Sequence, residues 1–148
     1  SWRLALFAAL MLGEYPELDG KRVLLMCLIH DLGELYDGDI SAALLPDEQQ
    51  KHAEEQRSVE RLFSFLPDKD RENFMAIWKE YNENSSPEAH LVKALDKAET
   101  ILQHNQGMNP SDFDYEFNLQ YGAAYFREDG LMAALRDRLD QETKRHIM

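Results

Sequence analysis

A single cysteine, Cys27, stands in 148 residues. One thiol cannot close an intramolecular disulfide, so a disulfide-stapled secreted scaffold is excluded and a reducing cytoplasm is the expected setting. Its place inside an apolar run makes it a small buried hydrophobe rather than a nucleophile. Glycine (7) and proline (5) are sparse, while 44% of residues are apolar. That balance excludes a disordered or fibrous chain and leaves enough for a packed core. Basic residues are outnumbered, Lys+Arg 16 against Asp+Glu 28, for a net charge of −12 at pH 7. Such a field opposes binding to a nucleic-acid polymer, whose backbone needs cationic neutralisation. It leaves room for a small phosphorylated ligand if a metal supplies the local positive charge. There is no repeat, no low-complexity tract and no glycine-rich phosphate loop. The apolar runs at residues 4–12 and 23–29 are too short to span a bilayer. The first lacks the charged leader and small-residue cleavage site of a signal peptide and reads as a buried helix, so no membrane partner is expected.

What is present is concentrated in one stretch. Val23 to Ile29 is apolar throughout and runs straight into His30 and Asp31, with Glu34 one turn on and Asp39 after a Gly38-containing turn. A segment that is apolar on every side reads as a buried helix. Titratable groups at its end are costly unless paired or bound to a metal. A lone His30 also reads as a helix C-terminal cap suited to the helix dipole. Clustered carboxylates repel one another, and a divalent cation is a common resolution.

His30-Asp31-x-Gly33-Glu34 followed by Gly38-Asp39-Ile40 resembles the signature of the HD-domain metal-dependent phosphohydrolases, and within them the 5′-deoxynucleotidase branch. Ser1 to Ala5 resembles the residues directly after the first metal-binding histidine there, in a motif of the form Glu-His-Ser. Leu91 to Glu99 resembles the helix that supplies the last metal-binding aspartate. The likeness covers residues 1 to about 105. It implies an all-α, HD-domain orthogonal bundle of about six or seven helices, and a single domain over residues 1–148, with the first metal-binding histidine placed just before Ser1. It implies His30, Asp31 and Asp96 as metal ligands, Glu34 and Asp39 as catalytic groups, and Lys51 near a substrate phosphate. Arg3 has two readings, a structural arginine or a second phosphate contact; Lys51 is likewise either a substrate contact or a solvent-facing lysine. Asp96 alone reads as a salt-bridge partner of Lys93, Lys97 or a nearby arginine, and as a ligand through the resemblance. The implied cofactor is a divalent ion, with Mn, Co, Fe, Zn, Ni and Mg all open. The implied reaction is hydrolysis of (deoxy)nucleoside 5′-monophosphates; the alternative is a non-catalytic metal- or nucleotide-binding module. Homodimerisation is implied as an option. Nucleotide choice, metal identity and oligomeric state are not specified by these residues.

Helical spacing predicts the remaining elements. A first helix runs to Gly13 with Trp2, Leu6, Ala9 and Leu10 on one stripe, and a second from a capping Asp19 to about Leu32. Residues 33–48 are irregular, with 40–45 packed down. A third helix begins at Asp47, is rich in Glu, Gln and Lys, and ends at Phe65-Leu66-Pro67. A fourth is capped by Asp68 and carries a core stripe of Phe74, Ile77, Trp78 and Tyr81. A fifth is capped by Ser86 with Pro87 in its first turn and a seam of Leu91, Leu95, Ala98 and Leu102. Residues 103–114 form a loop, and 115–126 and 129–146 are covering helices.

Overall fold

The structure is a computed structural model, and it describes residues 1–34, 48–127 and 129–148. The anticipated positions of Asp39, of the packed segment 40–45 and of the Asp47 cap therefore lie outside the described residues. Among those described there are seven α-helices and no strand: α1 (Trp2–Met11), α2 (Gly20–Ile29), α3 (Glu48–Phe63), α4 (Asp68–Glu83), α5 (Pro87–Gln106), the short α6 (Tyr115–Asn118) and α7 (Gly130–Ile147). The all-α class is as expected. No helix among them is long and apolar enough to cross a membrane.

Local chemistry sets the boundaries. The Asp19 carboxylate accepts from Arg22 N and starts α2, and Ser86 Oγ accepts from Ala89 N with Pro87 at the first position of α5. Each such cap contributes about 1 kcal/mol. Asp68 does not cap α4 as anticipated: the cap position is Pro67, and Asp68 sits inside the first turn, paired with Arg71 at 2.7 Å. There it complements the helix dipole instead. The left-handed Asn84 ends α4. The second helix stops at Ile29 rather than Leu32, so His30 is its C-cap and residues Leu32–Glu34 form a 3₁₀ turn.

Helix α5 is the centre of the bundle. Its Val92, Leu95, Ala98 and Ile101 are fully buried, and α1, α2, α4 and α7 pack around it. The core stripe of α4 holds, with Ile77, Trp78 and Tyr81 buried and Phe74 half-buried. His52 of α3 stacks on Trp78 at 5.5 Å. The apolar stripe anticipated on α1 is the outer one: Trp2 is 78%, Leu6 52% and Leu10 75% exposed, while Leu4, Ala5 and Ala8 face the core. An alanine-rich helix offers two apolar faces, and only the neighbours decide which is covered.

Two further links hold the site-bearing helices. Glu80 of α4 receives Arg22 of α2 at 2.6 Å and Ser86 Oγ, also at 2.6 Å, so one carboxylate joins α2, α4 and the start of α5. Burial alone would raise its pKa, but the Arg22 and Ser86 hydrogen bonds outweigh that and hold it below the usual carboxylate range. Residues 115–126 are not one continuous helix. After α6 the chain turns through Gly122 at φ +65° and resumes as a 3₁₀ turn at Ala123–Phe126. The buried Arg136 of α7 fixes this turn, donating to the carbonyls of Asn118 and Tyr121 and pairing with Asp140 at 3.0 Å.

Candidate functional site

A polar cleft of about 550 Å³ opens where the end of α2, the 3₁₀ turn, α3 and α5 meet. Of the residues singled out from the sequence, His30, Asp31, Glu34, Lys51 and Asp96 all line it. Arg3 does not; it pairs with Glu99 at 3.1 Å and with Gln106 at the outer edge. Asp39 lies outside the described residues.

Each side chain is placed by its element. The C-cap position of α2 turns the His30 ring inward, against Tyr81 at 5.0 Å. Its Nδ1 lies 2.7 Å from the Cys27 carbonyl, which can only accept, so Nδ1 carries the proton in that contact. Nε2 then faces Asp96 Oδ1 across 3.5 Å. Burial opposes the imidazolium, yet Asp96, with Asp31 and the Cys27 carbonyl behind it, outweighs burial and raises the ring's pKa. The converse holds for Asp96, where burial is outweighed by His30, Lys97 and Lys93 and the carboxyl is held low. Asp31 accepts from Ser1 Oγ at 2.9 and 3.0 Å. The 3₁₀ turn brings Glu34 to the wall. Gly33 allows that turn to touch α3: a Cβ there would stand 2.8 Å from Glu55 Cβ and 3.2 Å from its carbonyl. This close approach brings α3 to the cleft, where Lys51 pairs with Glu55 at 3.9 Å. Cys27 is fully buried beneath, and burial pushes its thiol up to about 12, as suits an inert core residue.

The chemistry of His30 and Asp96 suits two ligands of a divalent cation. With Nδ1 donating to a carbonyl, neutral His30 presents a lone pair at Nε2, and a lone pair facing a carboxylate oxygen requires a proton or a cation between them. Imidazole with carboxylates is the donor set of a first-row divalent ion. Among the described residues no group of three or more His, Cys, Asp or Glu is gathered closely enough to hold a metal by itself. The geometric core is the His30–Asp96 pair, with Asp31 directed to Ser1.

In the sequence Lys93 and Lys97 stand only as ion-pair alternatives for Asp96. The structure gives both a place: Lys93 Nζ lies 4.0 Å over the Tyr81 ring, and Lys97 lines the cleft beside Asp96 at 3.8 Å and Tyr121 Oη at 3.3 Å. Tyr121 also lines the cleft and carries no signal in the sequence, because it follows a helix start in a stretch with no local motif.

A helical bundle with a His–Asp pair inside an acidic cleft is a scaffold for cation-assisted chemistry. The chain belongs to the HD domain family, whose model matches residues 1–135. It is 33% identical over 105 residues to the 5′-deoxynucleotidase HDDC2 of Mus musculus, covering 71% of this chain and 52% of that one. Against the 5′-deoxynucleotidase HDDC2 of Xenopus laevis the identity is 36% over 102 residues, 69% of this chain and 50% of the relative. The chain thus spans about half the length of the curated relatives it matches. A crystal structure of a predicted metal-dependent phosphohydrolase from Magnetospirillum magnetotacticum superposes with a TM-score of 0.77 at 26% identity, over 98% of this chain and 77% of that one.

Proposed function

We propose that this chain is the catalytic domain of a metal-dependent phosphomonoesterase that hydrolyses (deoxy)nucleoside 5′-monophosphates to nucleoside and phosphate. The observation that carries the reading is the pairing of His30 with Asp96 at 3.5 Å inside a cleft that also presents Asp31, Glu34 and Lys51. Likeness to relatives named as 5′-deoxynucleotidases supports the substrate class.

His30, Asp31 and Asp96 would hold a divalent cation, which polarises a phosphoryl group and lowers the pKa of water when bound. The Cys27 carbonyl keeps His30 in the tautomer that offers Nε2. Glu34, on the wall and outside the His30–Asp96 pair, takes a proton from the attacking water or orients it. Asp39 is assigned the complementary role at the 5′ oxygen of the leaving group. Lys51 contributes positive charge on the α3 side. Arg3 is assigned to the rim through Glu99 rather than to the phosphate.

The test is phosphate release from a panel of deoxy- and ribonucleoside monophosphates with each of several divalent ions, compared with a chelated control. Metal-dependent release with a preference among the nucleotides is expected. Nucleotide binding with no release under any ion would replace this reading with that of a binding module.

A further inference from the structure

The geometry points to Lys97 as the anchor for a phosphoryl oxygen in the cleft, with the Tyr121–Gly122 turn as the device that aims it. This rests on the phosphohydrolase reading above. The stem of Lys97 runs beneath Gly122. A Cβ at residue 122 would stand 2.6 Å from Lys97 Cγ, 2.8 Å from its Cβ and 3.2 Å from Cδ. Gly122 also has φ +65°, a conformation costly for residues with a side chain. Glycine is thus required twice over, once by the backbone and once by the methylenes it covers. The turn itself is held by Arg136, which grips the carbonyls of Asn118 and Tyr121 from a buried position.

The stem is fixed, while among the described residues the head makes only long contacts, the Tyr125 ring at 6.0 Å included. An ammonium has three donors. Here Nζ meets Tyr121 Oη at 3.3 Å and Asp96 Oδ2 at 3.8 Å, and lies 5.0 Å from the Tyr121 ring centroid. These contacts are longer than the roughly 2.7–2.9 Å of a strong charge-assisted hydrogen bond. Of the other described cations nearby, Arg3 is held by Glu99 and Gln106, and Lys93 lies over the Tyr81 ring. Lys51 faces Glu55 at 3.9 Å from the α3 wall, with no covering turn among the described residues like the one at Gly122 to fix its stem. A dianionic phosphate entering a cleft walled by Asp31, Glu34 and Glu55 needs a cation already in place. A lysine whose methylenes are clamped loses less rotamer freedom when it binds than a free one. The rival account makes Lys97 a counter-ion for Asp96 and nothing more, and the two accounts part on phosphate affinity.

Binding of inorganic phosphate to the metal-loaded protein, measured by calorimetry beside metal content, separates them. Lys97→Gln should weaken phosphate roughly ten- to hundred-fold, as the loss of a charged hydrogen-bond partner does, with metal content retained. Where a nucleoside monophosphate is turned over, KM should rise more than kcat falls. Gly122→Ala should weaken phosphate in the parent but add nothing in a Lys97→Gln background, because its effect passes through that side chain. If Gly122→Ala does not fold, Tyr121→Phe in the same two backgrounds takes its place. The proposal is overturned by a parent that does not bind phosphate, by Lys97→Gln binding it within two-fold of the parent, or by a Lys97→Gln whose only change is tighter metal binding. Absence of nucleotide hydrolysis would sink the phosphohydrolase reading instead, and phosphate affinity would still report on Lys97.

Discussion

Glu34 and Asp96 line one cleft but are assigned different work. Replacing Asp96 with Ala should remove the metal and with it all turnover. Replacing Glu34 with Ala should leave the metal in place and lower the rate by about 10²–10⁴-fold, the usual contribution of a general acid–base group. Elemental analysis and steady-state phosphate release on the same preparations check both; a Glu34→Ala protein stripped of metal would make Glu34 a ligand. Glu80 offers a test of stability instead. Its folded pKa lies below its unfolded one, so its contribution is fully present above the unfolded carboxyl value of about 4.3. That contribution is lost as pH falls through the lower, folded value. Glu80→Gln should cost about 1–3 kcal/mol near neutrality, and the gap to the parent should shrink in acid; denaturant titrations across pH measure it. At this scale the placement of His30, Asp31 and Asp96 in one cleft is legible because their neighbours form a pattern. Lys97 is not, since one lysine among many looks the same until a turn from a later part of the chain covers it.

Between elements, close approach matters more than composition. Gly33→Ala would drive a Cβ against the backbone and Cβ of Glu55, neither of which is the yielding end of a long side chain. Separation of α3 from the 3₁₀ turn should follow, at a cost of about 1–3 kcal/mol. Loss of that amount in chemical unfolding, together with weaker phosphate binding as Lys51 withdraws, is the expected pair of results; unchanged stability would show that the turn yields instead. The helices with strong periodicity, α4 and α5, are readable from Trp78, Tyr81 and Leu95 because burial follows the 3.6-residue repeat. The stretch 115–126 is not. Its interruption is set by the left-handed Gly122 and by Arg136 reaching across from α7, a partner further along the chain. The outward stripe Trp2, Leu6 and Leu10 misleads for a related reason, as both faces of α1 are apolar and the choice belongs to α2 and α5.

Over the whole molecule the excess of acid sets the background. With a net charge of −12, self-repulsion destabilises the compact state and is screened by salt. Thermal midpoints should therefore rise between low and physiological ionic strength at neutral pH, and a flat response would mean the acids are already locally compensated. The stack of His52 on Trp78 has a practical consequence in optics. The two tryptophans differ as much as they can, Trp2 open to water at 78% exposed and Trp78 enclosed at 1%. Trp2→Phe would leave one indole, whose outer wall is an imidazole on α3 immediately beside Lys51. Any lifting of α3 from the cleft would admit water to that indole and shift its emission to longer wavelength. The protein thus carries its own fluorescent gauge of whether the lysine-bearing wall of the cleft is seated, readable without a label and without turnover.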